Sequence, residues 1–359
     1  MAEKMKQESG DNSQNIQIAG DLNYGITAAD AITISHYVVK QELAMYTSEA
    51  LSTAEERFKT IANKTVDQIN AENPNLFPKF KDPAIQVALN ETYKKYIETG
   101  DDELGDNLIN MLIDRLEIEN RNTKQFIIDD ARIVLPKLSN ANLSFLALQV
   151  FSLLNIPTNN KNEYKTAIEK LKKITEGAAA ISNLDIMYLK QAGCAMGVPM
   201  IHVNRNIADS LLNTYEYYFS RGITLEAFNE LATKYQLNHS TIINSFGRLL
   251  SLTDMYPNNF VGLRFSSRKR FEDFFLANHL PEFKNFFEEF ISLQNKANIK
   301  DVQAFHLSID PKWANIFALW DKEIITTLSI MPVGLYIGSI YLGRTLGIKI
   351  PQEIFYKEE

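Results

Sequence analysis

The sequence predicts a mainly α-helical, multi-helical fold with a long N-terminal helix, a short β-type segment before that helix and a winged-helix-like C-terminal end. Apolar residues recur at spacings of three and four along most of the chain after Gly25, which is the pattern of amphipathic helices. Polar N-cap residues precede several of these stretches, as at Thr27, Asp82 and Ser139. A chain of 359 residues, 45% of them hydrophobic, is long enough for two or three globular domains.

The charge and the cysteine content indicate which partners and which cellular compartment to expect for the protein. Lys and Arg together number 37 and Asp and Glu number 44, and the net charge of −7 argues against a general nucleic-acid coat. The single cysteine, Cys194, has no partner for an internal disulfide, which is usual in a reducing compartment. The first 26 residues show no apolar secretory signal. We therefore expect a cytoplasmic protein.

Residues 1–26 contain a predicted β-type self-association motif. Gly-Asp pairs at 10–11 and 20–21 supply turns on either side of the segment 14–18, whose polar side chains and isoleucines point to opposite sides of a strand. One copy buries too little surface to hold such short strands together, whereas stacked copies would align the side chains into ladders. A disordered leader, or one edge strand on the same chain, is the alternative. The predicted oligomerisation residues are Asn15, Ile16, Gln17, Ile18, Leu22 and Tyr24.

A single long helix is predicted to open the first helical domain, residues 27–156. Thr27 is its N-cap with Asp30 in the capping-box position, and no glycine or proline interrupts the pattern before Pro74. A continuous helix over 28–70 would be roughly 60 Å long, which favours a coiled coil or a partner helix. Packing within its own domain is the other interpretation.

Proline and cap signals divide the chain further. Asp82 and Pro83 begin a second helix, and Ser139 caps an apolar one. The stretch 157–162, rich in Pro, Asn and Thr, is a linker. It separates the first domain from a second helical domain, residues 157–300.

A helix-turn-helix is predicted inside this second domain. Thr224 caps a helix at 225–235, and Ser240 caps another at 241–252. The short connection between them has the length of a helix-turn-helix turn, although small helical hairpins share the pattern. The pair therefore raises nucleic-acid binding as one alternative function.

One dense run of cations follows the helix-turn-helix. Together with that motif it predicts a DNA- or RNA-binding regulator that uses residues 224–270. Because Glu272 and Asp273 follow directly, a solvated helix start is the other interpretation of the run. The candidate nucleic-acid contacts are Arg264, Arg268, Lys269 and Arg270.

Residues 301–359 are predicted to form a small winged-helix-like end. Strand composition marks 302–308 and 324–330, Pro311 begins a helix between them, and Pro332 opens the last helix. This alternation of strand and helix is typical of a small winged-helix module.

The same end contains a stretch without charge. Residues 324–343 carry no charged side chain, include Gly334-x-x-x-Gly338 and are long enough to span a bilayer as a helix. Thr, Ser, Pro and Gly residues dilute the hydrophobicity of the stretch. A membrane-acting effector that uses it is a third function, less favoured than the others.

The sequence contains no motif for a reaction or a bound metal. Its five histidines are scattered without a His-x-x-x-His pair, and its acidic residues lack a compact ligand spacing. A P-loop, a dinucleotide-binding glycine motif and a nucleophile elbow are absent as well. We assign no catalytic residue, no metal ligand and no cofactor.

Two resemblances to known families add a biological setting. The segment Gly10-Asp11-Asn12-Ser13 through Gly25, followed by the long helix, resembles a family of uncharacterised bacterial proteins encoded in mobile and defence-associated regions. Its Asn- and Gly-containing motif is similar to the short prion-like motifs of the fungal HET-s type and their bacterial amyloid-signalling counterparts. This likeness implies pairing between copies of the chain.

The second resemblance is to the bacterial abortive-infection alpha family. It is carried by Thr99-Gly100-Asp101-Asp102-Glu103-Leu104, by the Leu-rich stretch 108–116 and by Leu135-Pro136-Lys137-Leu138-Ser139. Leu328-Ser329-Ile330-Met331-Pro332-Val333-Gly334 is similar to the Leu-Thr-x-x-Gly turn near the C-terminus of that family, with Ser329 in place of the usual Thr.

These resemblances imply anti-phage defence of the abortive-infection type. The N-terminal motifs would pair across copies, and the raised local concentration would switch the helical body on. The implied partners are other copies of the chain and a phage component. The region 160–300 is inserted relative to the alpha family, which supplies no established catalytic residues to carry over.

Overall fold

We describe the fold from a computed structural model. The structure describes residues 26–154, 158, 160–198, 206–237, 250–252, 260–277 and 283–351. The chain divides into two compact units, Met1–Gly105 and Asp106–Glu359. The predicted domain boundaries after 156 and 300 both fall inside the second unit, so the structure divides the chain differently.

All the described secondary-structure elements of the first unit are helices. Its elements are α1 (Ala28–Ala44), α2 (Ser48–Glu72), a 3-10 helix (Pro74–Lys81), α3 (Pro83–Thr99) and the start of α4 (Asp102–Glu117). The capping box predicted at the start of α1 is confirmed: the Asp30 amide donates to the Thr27 hydroxyl at 3.2 Å, and the Thr27 amide donates to the Asp30 carboxylate at 2.9 Å. The cap of α3 by Asp82, with Pro83 in the first turn, is confirmed as well.

The prediction of one continuous helix over 28–70 is wrong. The chain leaves the helix at Met45, and Thr47 is extended, with φ −64° and ψ 161°, before α2 begins. The two helices pack against each other, and the rings of His36 and Phe58 lie 5.4 Å apart at their contact. The break has a physical reason, because folding back lets each helix bury its apolar stripe against the other.

The second unit combines helices with two small sheets. Beyond α4, its described helices are α5 (Thr123–Val134), a 3-10 turn (Leu135–Lys137), α6 (Asn140–Leu153), α7 (Lys161–Lys170), α8 (Lys172–Ala179), α9 (Asn183–Gln191), α10 (Ile207–Thr214), α11 (Glu216–Phe219), α12 (Leu225–Lys234), α13 (Arg268–Ala277), α14 (Lys284–Leu293), α15 (Ile299–Ile309), α16 (Trp313–Trp320), α17 (Glu323–Thr326) and α18 (Pro332–Leu346). Its described strands are β1 (Ala195–Gly197), β2 (Ile223–Thr224), β3 (Leu250–Leu252), β4 (Phe260–Leu263) and β5 (Leu328–Ile330).

Helix α6 is the centre of the second unit. Its predicted N-cap is confirmed, because Ser139 accepts a hydrogen bond from the Asn142 amide. Ten of the fourteen residues of α6 are buried, which fits its apolar sequence. Helix α18 lies against α6 so closely that a Cβ added at Gly338 would stand 2.5 Å from the carbonyl oxygen of Leu146. The Gly334-x-x-x-Gly338 motif thus serves packing inside the fold, since Gly334 meets the Cys194 carbonyl in the same way.

The predicted winged-helix-like arrangement of residues 301–359 is not formed by the described part of that segment. Residues 302–308 are helical, within α15, because Asn298 and Asp301 form a capping box and Val302, Phe305 and His306 form one buried stripe. The strand β5 pairs antiparallel with β1, more than 130 residues earlier in the chain. A strand that needs a distant partner does not build a module of its own.

The stretch 324–343 does not form a single span. It is divided among α17, β5 and α18, and Pro332 begins a new helix after the strand. Across the residues that the structure describes, no helix combines the length and the apolar character needed to cross a lipid bilayer.

Candidate nucleic-acid interface

Strands β2, β3 and β4 form a three-stranded antiparallel sheet with β4 in the middle. Helix α12 follows β2 directly, so the chain passes from the first edge strand through a helix before it reaches the other edge. The connections 238–249 and 253–259 lie outside the described residues. Ile223 pairs with Val261, and Leu250 pairs with Leu263, which fixes the register of both edges.

Local sequence signals explain why the chain turns here. Gly222 has a φ of +70°, and a Cβ at this position would collide with the carbonyl group of Val261 across the sheet. Only glycine satisfies both conditions. Two residues later, the Thr224 hydroxyl accepts a hydrogen bond from the Ala227 amide at 3.1 Å and begins α12, as the sequence predicts.

A core of aromatic and aliphatic side chains holds the sheet against three helices. The rings of Phe228 on α12 and Phe286 on α14 meet edge to face with centroids 6.2 Å apart. Phe271 of α13 lies 5.2 Å from Phe287 of α14. The members of this core are Tyr217, Ile223, Phe228, Leu231, Leu250, Val261, Leu263, Phe271, Phe286, Phe287 and Phe290. The phenylalanine-rich pattern of the sequence is therefore a packed core.

This order of elements is that of a winged helix: edge strand, helix, a further connection, then two antiparallel strands with the last one in the middle. We call residues 222–294 the winged-helix module and the rest of the second unit the helical body. Of the helix predicted over 241–252, residues 250–252 instead form the strand β3, and 241–249 lie outside the described residues. The strand order typical of a winged helix thus occurs in the middle of the chain, outside the segment 301–359 for which it was predicted.

The predicted cations lie immediately after β4, where the chain enters α13. Arg264, Arg268 and Lys269 are exposed, and Arg270 is half-buried. The Arg268 guanidinium donates from Nε to Glu272 at 2.7 Å, and this bond raises the pKa of Arg268 above its usual range. Glu272 therefore neutralises part of the charge of the run, at Arg268.

Helix α12 presents an acidic face next to the sheet. A cavity of about 840 Å³ opens along this face, and Glu226 and Glu230 stand one turn apart on it. Two carboxylates so placed repel phosphates, so the cationic side of the module, at 264–270, is the one suited to nucleic acid. The residues that line the cavity are Thr224, Leu225, Glu226, Asn229, Glu230 and Thr233.

The reactive side chains of Cys194 and His306 are buried in the core. Burial raises the pKa of the Cys194 thiol to about 12, which keeps the thiol protonated and unreactive at neutral pH. His306 is fully buried among aromatic rings. Within the described ranges, no three His, Cys, Asp or Glu side chains are grouped so that they would hold a metal ion. The predicted oligomerisation residues 15–18, 22 and 24 lie outside the described residues.

The described elements define a mainly helical protein whose second unit carries a small antiparallel sheet with the strand order of a winged helix. A protein-family model described as ":-like" matches residues 25–356. The chain belongs to this family, because the match covers more than nine-tenths of its 359 residues. No curated protein and no solved structure matches the chain.

Proposed function

We propose that the chain binds nucleic acid through the winged-helix module. The observation that carries the proposal is the position of β4 between β2 and β3, with α12 directly after β2. Winged-helix modules are a form of helix-turn-helix, in which a helix and the adjoining hairpin approach the duplex. The sequence between α12 and β3 carries the predicted second helix of that motif.

The distribution of charge is a second argument for binding at this module. Arg264, Arg268 and Lys269 lie within six residues of one another and are exposed, in a chain whose net charge is −7. A phosphate backbone is repelled by most of such a surface and attracted where cations are concentrated. Contact is therefore expected at the module and not over the whole protein.

The test is a salt series with a fluorescently labelled short DNA duplex, followed by anisotropy. The full chain should bind at low salt and lose affinity steeply as salt rises. Arg264→Ala with Lys269→Ala should weaken binding and reduce the slope of log K against log salt by about 2, one for each lost phosphate contact.

A matched control removes two exposed cations from the helical body. Lys165→Ala with Lys172→Ala changes the net charge equally but lies on α7 and α8. Equal losses in the two double variants would mean unspecific attraction to the whole surface. Absence of binding at low salt would overturn the proposal.

We further propose that cytoplasmic copies of the chain assemble through residues 1–26 and act in anti-phage defence. The spaced Gly-Asp pairs and the alternating Asn/Gln and Ile residues of 14–18 support this, together with the resemblance to amyloid-signalling motifs. Ile16→Asp with Ile18→Asp should lower the solution mass measured by light scattering. Gln7→Asp with Ser9→Asp adds the same charge outside the segment and should leave the mass unchanged.

The biological half of that proposal has its own test. Bacteria that express the chain should show fewer phage plaques than cells that express the Ile16→Asp/Ile18→Asp variant at the same level. Equal plaque counts with a reduced mass would separate assembly from defence and remove the defence proposal. An unchanged mass would remove the assembly proposal.

A further inference from the structure

The four-residue helix α11 has side chains in two hydrophobic cores. Tyr217 is a member of the core of the winged-helix module and is only 8% exposed. The next residue, Tyr218, packs in the helical body instead. Helix α11 contacts both β4 of the module and α15 of the helical body.

On the other side of α11, two rings enter the helical body. Phe219 is fully buried, and its ring lies 5.5 Å from Phe305 and 5.8 Å from His306. Tyr218 lies 5.7 Å from Tyr164 and donates a hydrogen bond to the Thr158 carbonyl at 2.9 Å. Tyr217 of α11 therefore packs in the core of the module, and the two residues that follow it pack in the helical body.

Two hydrogen bonds from backbone amides join α11 to the module. The Tyr217 amide donates to the Ser266 carbonyl at 3.2 Å. The Arg268 amide, at the start of α13, donates to the Glu216 carboxylate at 2.9 Å. Where the chain leaves the module after residue 294, the Asn295 amide donates to the Gly222 carbonyl at 3.2 Å. Both connections between module and body are therefore tied by main-chain groups.

We infer that α11 couples the winged-helix module to the helical body, so that the two unfold as one cooperative unit and a change in the module reaches the aromatic cluster around His306. The module cannot separate from the body while both Tyr217 and Phe219 stay buried, because they are two residues apart on one helical turn. Separation would expose one of two large aromatic side chains to water.

Trp313 belongs to the aromatic cluster around His306, so its fluorescence reports on that cluster. The ring of Trp313 lies 4.5 Å from that of His306, which in turn contacts Phe219. The chain has two tryptophans, and both Trp313 and Trp320 lie on α16 of the body. Tryptophan emission therefore reports on the body and on no residue of the module.

The first experiment follows unfolding of the full chain by tryptophan emission. Phe228→Leu weakens the core of the module, to which neither tryptophan belongs. Coupling predicts that the midpoint of the tryptophan transition falls by about 2–5 °C, as expected for a loss near 1 kcal/mol in a unit of this size. Asn229→Ala, on the exposed face of the same helix, should leave the midpoint unchanged.

An unchanged tryptophan midpoint in Phe228→Leu, with faster amide hydrogen exchange in α12, would overturn the inference, because the module would then open on its own. If Phe228→Leu fails to fold, Leu231→Ile offers a milder change in the same core. Neither variant touches a residue of the aromatic cluster around His306.

A second experiment, which rests on the proposed function, tests whether DNA binding at the module changes the surroundings of the tryptophans in the helical body. The labelled DNA duplex is titrated into the full chain while tryptophan emission is recorded. Coupling predicts an emission change with the same midpoint as the anisotropy change. Binding without any emission change removes the transmission of binding but leaves the proposed function intact. Absence of binding removes the proposed function, and the unfolding experiment still decides the cooperative coupling.

Discussion

The Nε2 atom of His306 lies 3.1 Å from the hydroxyl oxygen of Tyr164, and both side chains are fully buried. The other ring nitrogen, Nδ1, lies 2.8 Å from the Val302 carbonyl, which accepts hydrogen bonds and cannot donate one. Nδ1 therefore carries the proton, and Nε2 accepts from Tyr164. Burial lowers the pKa of His306 to about 4, so the ring is neutral at physiological pH.

This buried pair predicts a loss of stability in mild acid. The unfolded chain protonates the histidine near its ordinary pKa of about 6.5, whereas the folded chain resists until about pH 4. Between these values the unfolded state binds more protons, so the free energy of unfolding falls as the pH drops from 6.5 to 4. The loss is on the order of 3 kcal/mol and ends below pH 4, where both states are protonated. Urea midpoints across this range measure it.

The comparison must be with a variant that lacks the imidazole, because carboxylates also lose stabilising hydrogen bonds in acid. The pKa of Asp185, for example, is lowered by hydrogen bonds from Ser182, so the stability that this carboxylate supplies is lost in stronger acid, below its ordinary pKa of 3.8. His306→Gln retains a hydrogen-bonding side chain but does not titrate. The free energy of unfolding of this variant should depend less on pH between 6.5 and 4 than that of the unaltered protein. Parallel plots of this free energy against pH for the two proteins would contradict the prediction.

Adjacent tyrosines of α11 give a prediction with opposite signs. The Tyr217 hydroxyl is buried and has no hydrogen-bond partner among the described residues, and burial raises the pKa of Tyr217. The Tyr218 hydroxyl contacts the carbonyl oxygen of Thr158 at 2.9 Å and the hydroxyl oxygen of Thr158 at 3.0 Å. Tyr217→Phe should raise the free energy of unfolding by about 1 kcal/mol, because it removes an unpaired polar group, and Tyr218→Phe should lower it by about 1 kcal/mol. Urea unfolding of both variants checks the signs, and a destabilised Tyr217→Phe would be the contrary result.

Local signals in the sequence predicted much of the helical architecture. The capping box of Thr27 and Asp30, the cap at Ser139 and the start of α12 at Thr224 all depend on residues within one helical turn. Such signals are complete in the sequence, because the hydrogen-bonding partners are only three residues away. The helical fold class is confirmed for the same reason.

Long-range pairing explains what the sequence did not predict. Strands of two to four residues carry too little alternation to be recognised, and β2 and β4 find each other across 36 residues. The strand prediction for 302–308 was wrong because it relied on the strand-like composition of these residues. In the structure a capping box at Asn298 begins a helix that includes them. The winged-helix topology was therefore expected at the wrong end of the chain, whereas the first helix of the motif was placed correctly.

In the first unit, Arg57 holds the end of α3. Its guanidinium donates to the carbonyl oxygens of Ile97 at 2.7 Å and Glu98 at 3.2 Å. These are carbonyls of the last helical turn, which lack partners inside the helix, and a cation there also suits the helix dipole. Arg57→Ala should lower the free energy of unfolding of this unit by about 1–2 kcal/mol. Lys59→Ala, an exposed neighbour on α2, is the control, and equal midpoints for the two variants would contradict the role of Arg57.

Gly338 tests whether close packing or helix propensity decides the stability of α18. In an exposed helix, replacing glycine with alanine stabilises by up to about 1 kcal/mol. Here the new Cβ would stand 2.5 Å from the Leu146 carbonyl and 2.9 Å from a methyl group of Val150, and backbone cannot move aside as a flexible side chain can. Gly338→Ala should therefore destabilise the second unit by about 1–3 kcal/mol. Thr345→Ala, half-buried on the same helix, should change the urea midpoint little, and a stabilised Gly338→Ala would show that α18 is free to shift away from α6.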